Sequence, residues 1–381
     1  MRRLFICYTT PMRIAMIGQK GMVLGERGGG IEKHVAEISR RLVEVGHDVT
    51  VYARAKYDPK TPESIDGVKL EYRPTVYSKN LEAIVHTLSS TIHALRQEYD
   101  VIHYHGVGPS TLAWIPRLFA KDATVVTTFH SQDRFHKKWG IFARLYLTFG
   151  EWAAVQFPHF CITVSHVLQV YCRNRFKQET VYIPNGAEIK QVESDAQLER
   201  FGLSKQSYIL NVGRLVPQKG IHLLIEAYKT LQTDKQLVLV GAPSFSQGYY
   251  QQLRDLAEGD DRIHFLGYQD GEGLEQLFAH AFFYVHPSES EGLPLSVLEA
   301  MSYGLAPLVS DIPANIEALH HTGFTFPSGN VQALREALAR LLNHPQLVQE
   351  QSDEVRAVVD VEFNWDMIAK HTEAVYVTAR H

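Results

Sequence analysis

What most constrains this chain is an alternation that runs nearly from end to end, short runs rich in Val, Ile and Tyr separated by longer amphipathic stretches. That is the pattern of parallel sheets flanked by helices, because strands running the same way need a long crossover between them. In the first half the runs are "MRIAMIG", "DVTVYA", "VKLEYR", "DVIHYHG", "ATVVTTFH", "FCITVS" and "TVYIPNG". In the second they are "YILNVGRL", "QLVLVGA", "IHFLGY", "FFYVHPS" and "LAPLVSD". Between the sets lies "GAEIKQVESDAQLERFGLSKQS", polar and charged, which reads as an interdomain linker. At 381 residues the chain exceeds what a single core usually sustains. The expectation is an α/β protein of two domains, residues 1–190 and 191–363, with a last helix at about 364–381 as a candidate to pack back on the first.

Apolar residues make up 45% of the chain, but no uncharged apolar run reaches the length of about eighteen residues that a spanning helix needs. The opening "MRRLFICYTTP" has too short an apolar core before Pro11 for a signal peptide. It reads as an extension of the first strand, a loose tail or an artefact of start-site choice. Cys7, Cys161 and Cys172 show neither a CxxC nor a metal-ligand spacing, which is most economically three reduced thiols in a cytoplasmic protein. Charge is unevenly shared. Up to residue 190 there are 25 Lys and Arg against 17 Asp and Glu, and beyond it 13 against 25, so the halves carry +8 and −12. Such a balance bears on partners rather than on fold, and chance plus solvated helix faces is its bland reading.

Ligand sites in open α/β sheets lie beyond the carboxyl ends of strands, where helix N-termini attract phosphate. Four such loops carry unusual residues. The first, "GQKGMVLGERGGGIEKHVAEISRRL", places Gly28, Gly29 and Gly30 directly before a helix, allowing backbone N–H groups close to a bulky anion. It has neither the dinucleotide GxGxxG spacing nor a P-loop ending, and alone it reads equally as a flexible loop. The second, "NVGRLVPQKGIHLLIEAY", sets Arg214 and Lys219 ahead of a helix starting near Gly220. A planar fork and a mobile point charge suit a diphosphate and charge developing on a departing phosphate; two surface cations are the alternative.

The third loop is "SESEGLPLSVLEAMSYGLAPLVSD", with Glu291 in the turn, Pro294 suited to the first helical position and Glu299 in the second helical turn. One carboxylate accepts two hydroxyls well, so each could orient one sugar of a nucleotide sugar. The bland reading is that Glu289, Glu291 and Glu299 simply favour a helix N-terminal region. The fourth loop closes "ATVVTTFHSQDRFHKKWG" and leaves His130 at the end of a central strand. His103 and His105 in "HYH" share one strand face, but without a third ligand at sensible spacing no metal site is assigned.

"NVGRLVPQKG", followed about seventy residues later by "HPSESEGLPLSVLEAMSYGLAPLVSD", resembles the retaining glycosyltransferases of family 4, whose signature is two Glu separated by seven residues. "RIAMIGQKG", "GGGIEKHVAEISRRLVEVGHDVTVYAR", "HSQDRFHKKWGIFARLYLTFGEWAAVQFP" and "VYIPNG" resemble the bacterial polysaccharide branch, so the similarity spans nearly the whole chain. It implies the GT-B fold, two facing doubly wound Rossmann-like domains with parallel sheets, acceptor on the first and donor nucleotide sugar on the second. It further implies that Glu299 grips the ribose, Arg214 and Lys219 the diphosphate, and Glu291 the transferred sugar. Gly213, Gly292 and Leu293 complete the donor site, Gly28, Gly29 and Gly30 close over the phosphates, and His130 lies near the anomeric carbon. Pro294 departs from the Gly of many members and has no N–H to donate to the donor.

The reaction so implied is transfer of a hexose from a nucleoside diphosphate to an acceptor hydroxyl with retention, the leaving phosphate helping to deprotonate the acceptor. No cofactor is expected. No Asp-x-Asp triplet occurs in the chain, so no metal requirement is expected either. The rival readings are a sugar-nucleotide epimerase or hydrolase of the same fold, and an inactive nucleotide-sugar-binding protein. The expected acceptor is a saccharide or a lipid-diphosphate-linked saccharide, with no nucleic acid among the partners. "RFHKKWGIFARLYLTFGEW" interleaves Arg134, Lys137, Lys138 and Arg144 with Phe135, Trp139, Phe142, Tyr146 and Trp152. On one amphipathic helix these fit an anionic membrane surface. That gives an expectation of peripheral attachment to the inner face of the cytoplasmic membrane, against the alternative of a core helix with a charged start.

Overall fold

The computed structural model describes residues 10–22, 25–78, 81–135, 140–243 and 247–378. The opening residues with Cys7, and Lys137, Lys138 and Trp139, lie outside the described residues. The chain divides into two compact units, the second formed by Pro184–Trp365 and the first by the chain up to Ile183 together with the segment from Asp366 onward. The first unit holds β1 (Arg13–Ile17), α1 (Gly30–Glu44), β2 (Asp48–Ala53), β3 (Ser64–Ile65), β4 (Val68–Tyr72), α2 (Glu82–Ala94), β5 (Val101–His105), α3 (Val107–Ser110), α4 (Trp114–Phe119), β6 (Thr124–Phe129), α5 (Ile141–Gln156), β7 (Phe160–Thr163), α6 (His166–Phe176) and β8 (Val181–Tyr182). The second holds β9 (Tyr208–Val212), α7 (Ile221–Lys229), β10 (Gln236–Val240), α8 (Gln247–Ala257), β11 (Ile263–Gly267), α9 (Gly271–His280), β12 (Phe283–His286), α10 (Leu295–Ser302), β13 (Pro307–Ser310), α11 (Pro313–Leu319), β14 (Phe324–Phe326), α12 (Val331–Asn343) and α13 (Pro345–Glu362). The chain then re-enters the first unit along α14 (Trp365–Thr378).

The first sheet runs β3-β4-β2-β1-β5-β6-β7-β8, parallel throughout except for the short β3 against β4. The second runs β11-β10-β9-β12-β13-β14, all parallel. In the second unit α7 and α12 cover one sheet face through Leu224, Tyr228, Leu334 and Leu338, all fully buried. Every residue of β5 and β6 is buried, the mark of strands covered on both faces. Their polar side chains must therefore pair inside the protein. Thr127 donates to the Ala154 carbonyl at 2.6 Å, the Tyr104 and Thr91 hydroxyls meet at 2.8 Å, and His103 bonds Thr128 and Tyr376 at 2.7 Å each. Tyr376 lies on α14, which is also held by an ion pair from Arg41 to Asp366 at 2.7 Å.

The strand runs read from the sequence all form strands, whereas β3 and β14, two and three residues long, were not anticipated. The polar stretch 186–207, expected to be a linker, is packed into the second unit. Leu198 and Leu203 are buried, the Ala187 N–H donates to the Phe363 carbonyl at 2.8 Å, and the Gln197 N–H to the Gln276 side chain at 2.7 Å. The passage between units falls at Ile183 and Pro184 rather than at residue 190.

His86 on α2 is fully buried, with Nε2 3.0 Å from the Ala53 carbonyl and no partner for Nδ1 among the described residues. Burial, helped by the charge of Arg54, pushes its pKa down to about 3 from 6.5. The folded state thus holds this imidazole neutral, and the unfolded chain binds its proton first. The stability His86 contributes is complete above about pH 6.5 and is lost as pH falls toward 3. Urea denaturation between pH 7 and 4 should show His86→Leu with a shallower loss than wild type, by up to about 1.4 kcal/mol per pH unit. Parallel curves for the two proteins would contradict it.

Candidate active site

Strand order reverses at one point in each sheet, and ligands in open α/β sheets bind beyond the carboxyl ends of the strands there. In the second sheet β9 lies between β10 and β12, so the loops that leave β9 and β12 diverge around one crevice. These are the loops of Arg214 and Lys219 and of Glu291. They are joined by the Glu289 N–H donating to the Gln218 carbonyl at 2.8 Å. Gly220 permits that approach. Its φ is +66°, and a Cβ there would stand 2.1 Å from the Pro287 carbonyl oxygen.

At this junction Oε1 of Glu291 accepts three hydrogen bonds, from Lys219 Nζ at 2.6 Å, Ser288 Oγ at 2.6 Å and His286 Nε2 at 2.9 Å. Its Oε2 has no partner among the described residues. Burial alone would raise the Glu291 carboxyl, but Lys219 and His286 outweigh it and hold the group well below the usual carboxylate range. His286 is pushed down by burial and by Lys219, despite its bond to Glu291. A neutral imidazole donating from Nε2 to the carboxylate keeps Nδ1 unprotonated, 3.3 Å from the Tyr284 hydroxyl, whose own proton goes to the Val212 carbonyl at 3.0 Å.

Glu299 sits in the second turn of α10, half-buried, and its charge bears on Tyr268, Tyr284 and Tyr303. Pro294 is the residue capping α10 rather than its first helical residue, because its ψ of 101° is extended. Gly292 and Leu293 are buried, and the Leu293 carbonyl accepts from the Asn185 side chain at 3.0 Å. Arg214 is exposed and has no side-chain partner among the described residues. Gly213 packs its carbonyl so closely on Gly241 that a Cβ at Gly241 would lie 1.9 Å away.

In the first sheet the reversal is at β1, between β2 and β5. The loop after β1 leads into α1 with Gly29 as an N-cap that offers no side chain, so the first helical N–H groups are not spent on one. Gly28, Gly29 and Gly30 have no positive φ, so what they provide is space rather than conformation. Lys20 Nζ donates to the Arg27 carbonyl at 2.6 Å, and the Glu32 carboxylate accepts from the Lys20 N–H at 3.1 Å. A cavity of about 260 Å³ adjoins this loop, lined by Lys20, Arg27, Tyr57 and Asp58 among others. His130 is buried at the end of β6, its Nε2 3.3 Å from Nδ1 of His105, with the His34 ring edge-on at 4.8 Å between centroids. Burial, with the charges of His34 and His103, holds His130 well below the ordinary imidazole range.

Residues 28–191 match the family model described as Glycosyltransferase Family 4, and residues 194–358 the one described as Glycosyl transferases group 1. The chain belongs to glycosyltransferase family 4. The transferase is 26% identical over 363 residues to the phosphatidyl-myo-inositol mannosyltransferase of Mycobacterium leprae, covering 92% of this chain and 93% of that protein. The fold is GT-B. Sucrose-phosphate synthase from Thermosynechococcus elongatus shares it at a TM-score of 0.85 and 22% identity, over 96% of this chain and 98% of that one. Anabaena HepE, solved in complex with UDP and glucose, does so at 0.79 and 19%, over 96% and 100%.

The second unit of the transferase thus brings Lys219 and Glu291 into contact, with Arg214 on the same loop as Lys219. His286 and Ser288 were not singled out in the sequence, although they flank Glu291 in "HPSESEG". His34 was missed because 71 residues separate it from His105. Two of the residues at 134–152 that were expected on one membrane-facing helix are engaged internally. Arg134 lies before α5 and is spent on the buried Glu151 and on Tyr171, and Tyr146 turns inward to the Thr111 hydroxyl at 2.6 Å.

Lys219 and Glu291 are only 14% and 12% exposed, so removing one partner strands a buried charge. Lys219→Met should cost the second unit about 3–5 kcal/mol, and adding Glu291→Gln should recover part of it. A denaturation double-mutant cycle reads this; strict additivity would show that the pair is not coupled.

Proposed function

We propose that this transferase moves a hexose from a nucleoside-diphosphate sugar to a hydroxyl of a saccharide or lipid-diphosphate-linked saccharide. Transfer proceeds with retention and without a metal, in the synthesis of polysaccharide or glycolipid. The observation that carries the reading is Glu291, whose Oε1 is fixed by three donors while Oε2 is left for sugar hydroxyls. Glu299 then takes the ribose. Arg214 and the spare N–H groups of Lys219 take the diphosphate and the charge that grows on it as the sugar leaves. Gly213, Gly292 and Leu293 line the donor, and His130 is assigned the part in transfer that its family resemblance implies. The departing phosphate accepts the acceptor's proton. The relative named for phosphatidyl-myo-inositol and the structure holding UDP and glucose support a lipid-linked acceptor and a hexosyl donor.

The test is transfer from a panel of nucleoside-diphosphate hexoses in EDTA, with product configuration read by NMR. An inverted product, donor turnover that ignores the acceptor, or loss of activity restored by Mn²⁺ would each overturn part of the reading. Glu299→Ala should weaken free nucleotide and intact donor alike, whereas Glu291→Ala should spare the nucleotide and weaken the donor. Equal nucleotide losses in both would contradict this division.

No helix among the described residues is long and apolar enough to cross a membrane. On α5, Ile141, Phe142, Leu145, Phe149 and Trp152 are exposed, Phe142 to 88%. At about 100° per residue they form one stripe about 100° wide. This supports peripheral attachment to a cytoplasmic membrane face. With Arg134 engaged internally, the apolar stripe outweighs charge, because burying one such side chain is worth about 1.5–3 kcal/mol against about 1 for a basic residue near an anionic surface. Vesicle cosedimentation should show binding that salt weakens without abolishing, and that Phe142→Ser with Leu145→Ser removes. Binding that survives the double substitution would point away from α5.

A further inference from the structure

We propose that His34, His105 and His130 form a site for one divalent cation of the Zn²⁺ class, and that filling it withdraws His130 from transfer. The second half of this rests on the role given to His130 above; the first half does not. The three imidazoles come from α1, β5 and the end of β6. One ring nitrogen from each lies within 4.8 Å of the others, and all three residues are buried. A tetrahedral cation bound at about 2.0–2.1 Å holds its nitrogens roughly 3.3 Å apart. Nδ1 of His105 and Nε2 of His130 already stand 3.3 Å apart. Two imidazoles at that distance need only share a proton, but such a pair gives no reason for a third ring to converge on it.

The donor set decides the class of ion. No carboxylate belongs to it, so the oxygen-seeking Mg²⁺ and Ca²⁺ are excluded, whereas borderline imidazole nitrogens suit Zn²⁺, Co²⁺, Ni²⁺ or Cu²⁺. His103 stacks against His105 at 4.1 Å but is not a ligand, because Tyr376 and Thr128 engage both its nitrogens. Three protein ligands leave the fourth position to water.

Titration of the full chain with Co²⁺ should give the visible bands of a tetrahedral ion, saturating at one equivalent, bleached by Zn²⁺ and untouched by Mg²⁺. His34→Gln and His105→Gln should each weaken binding at least about tenfold while far-UV circular dichroism stays that of the wild type. A spectrum that remains that of aqueous Co²⁺ at every ratio, or equal binding by wild type and both folded variants, would overturn the site. One equivalent of Zn²⁺ should also slow transfer, EDTA should restore it, and His34→Gln should be less sensitive. Full turnover with the ion bound would overturn the withdrawal of His130. Full turnover by His130→Ala without added metal would instead count against the role of His130 in transfer.

Discussion

A parallel sheet covered on both faces leaves a polar side chain in its central strands nowhere to turn but to another protein group. β5 and β6 carry Thr, Tyr and His at fully buried positions, and each must find such a group or cost about 1–3 kcal/mol unpaired. That requirement shapes the first unit. His103 is satisfied only when α14 returns with Tyr376, so the last helix completes a hydrogen-bond network as well as covering apolar surface. It also gathers the other histidines. His105 and His130 end adjacent strands, and His34 looks down from α1 onto the same spot.

The same topology places the candidate site. Each sheet reverses its order once, and the loops that diverge there are those with three consecutive glycines in one unit and with Arg214, Lys219 and Glu291 in the other. This much is legible in the sequence. Runs of Val, Ile and Leu long enough to be buried on both faces announce parallel strands, and a charged or glycine-rich loop between such a run and an amphipathic stretch is conspicuous.

The rest depends on contacts that local pattern does not contain. β3 and β14 are too short to show a period. The stretch 186–207 is polar enough to read as a linker, yet two leucines and backbone bonds to Phe363 and Gln276 fasten it down. Arg134 reads as a surface cation until Glu151, 17 residues on, is found buried beside it; burial pushes that carboxyl up, and Tyr171 and Arg134 offset only part of the effect. His34 has no sequence neighbour to betray it.

The arrangement around Glu291 explains how one carboxylate can be both buried and useful. Three donors on Oε1 compensate the loss of water and fix the side chain, so the sugar-orienting role proposed for Oε2 would require little reorganisation. Lys219 benefits in turn. An ammonium has three N–H groups and Glu291 takes one, so two remain on a cation whose position is already set. A mobile lysine would lose rotamer freedom on meeting a phosphate, whereas this one has given it up in folding. The pair is close to neutral overall, so in the proposed donor site net attraction of a diphosphate would fall to the exposed Arg214, and Lys219 would recognise where the charge develops.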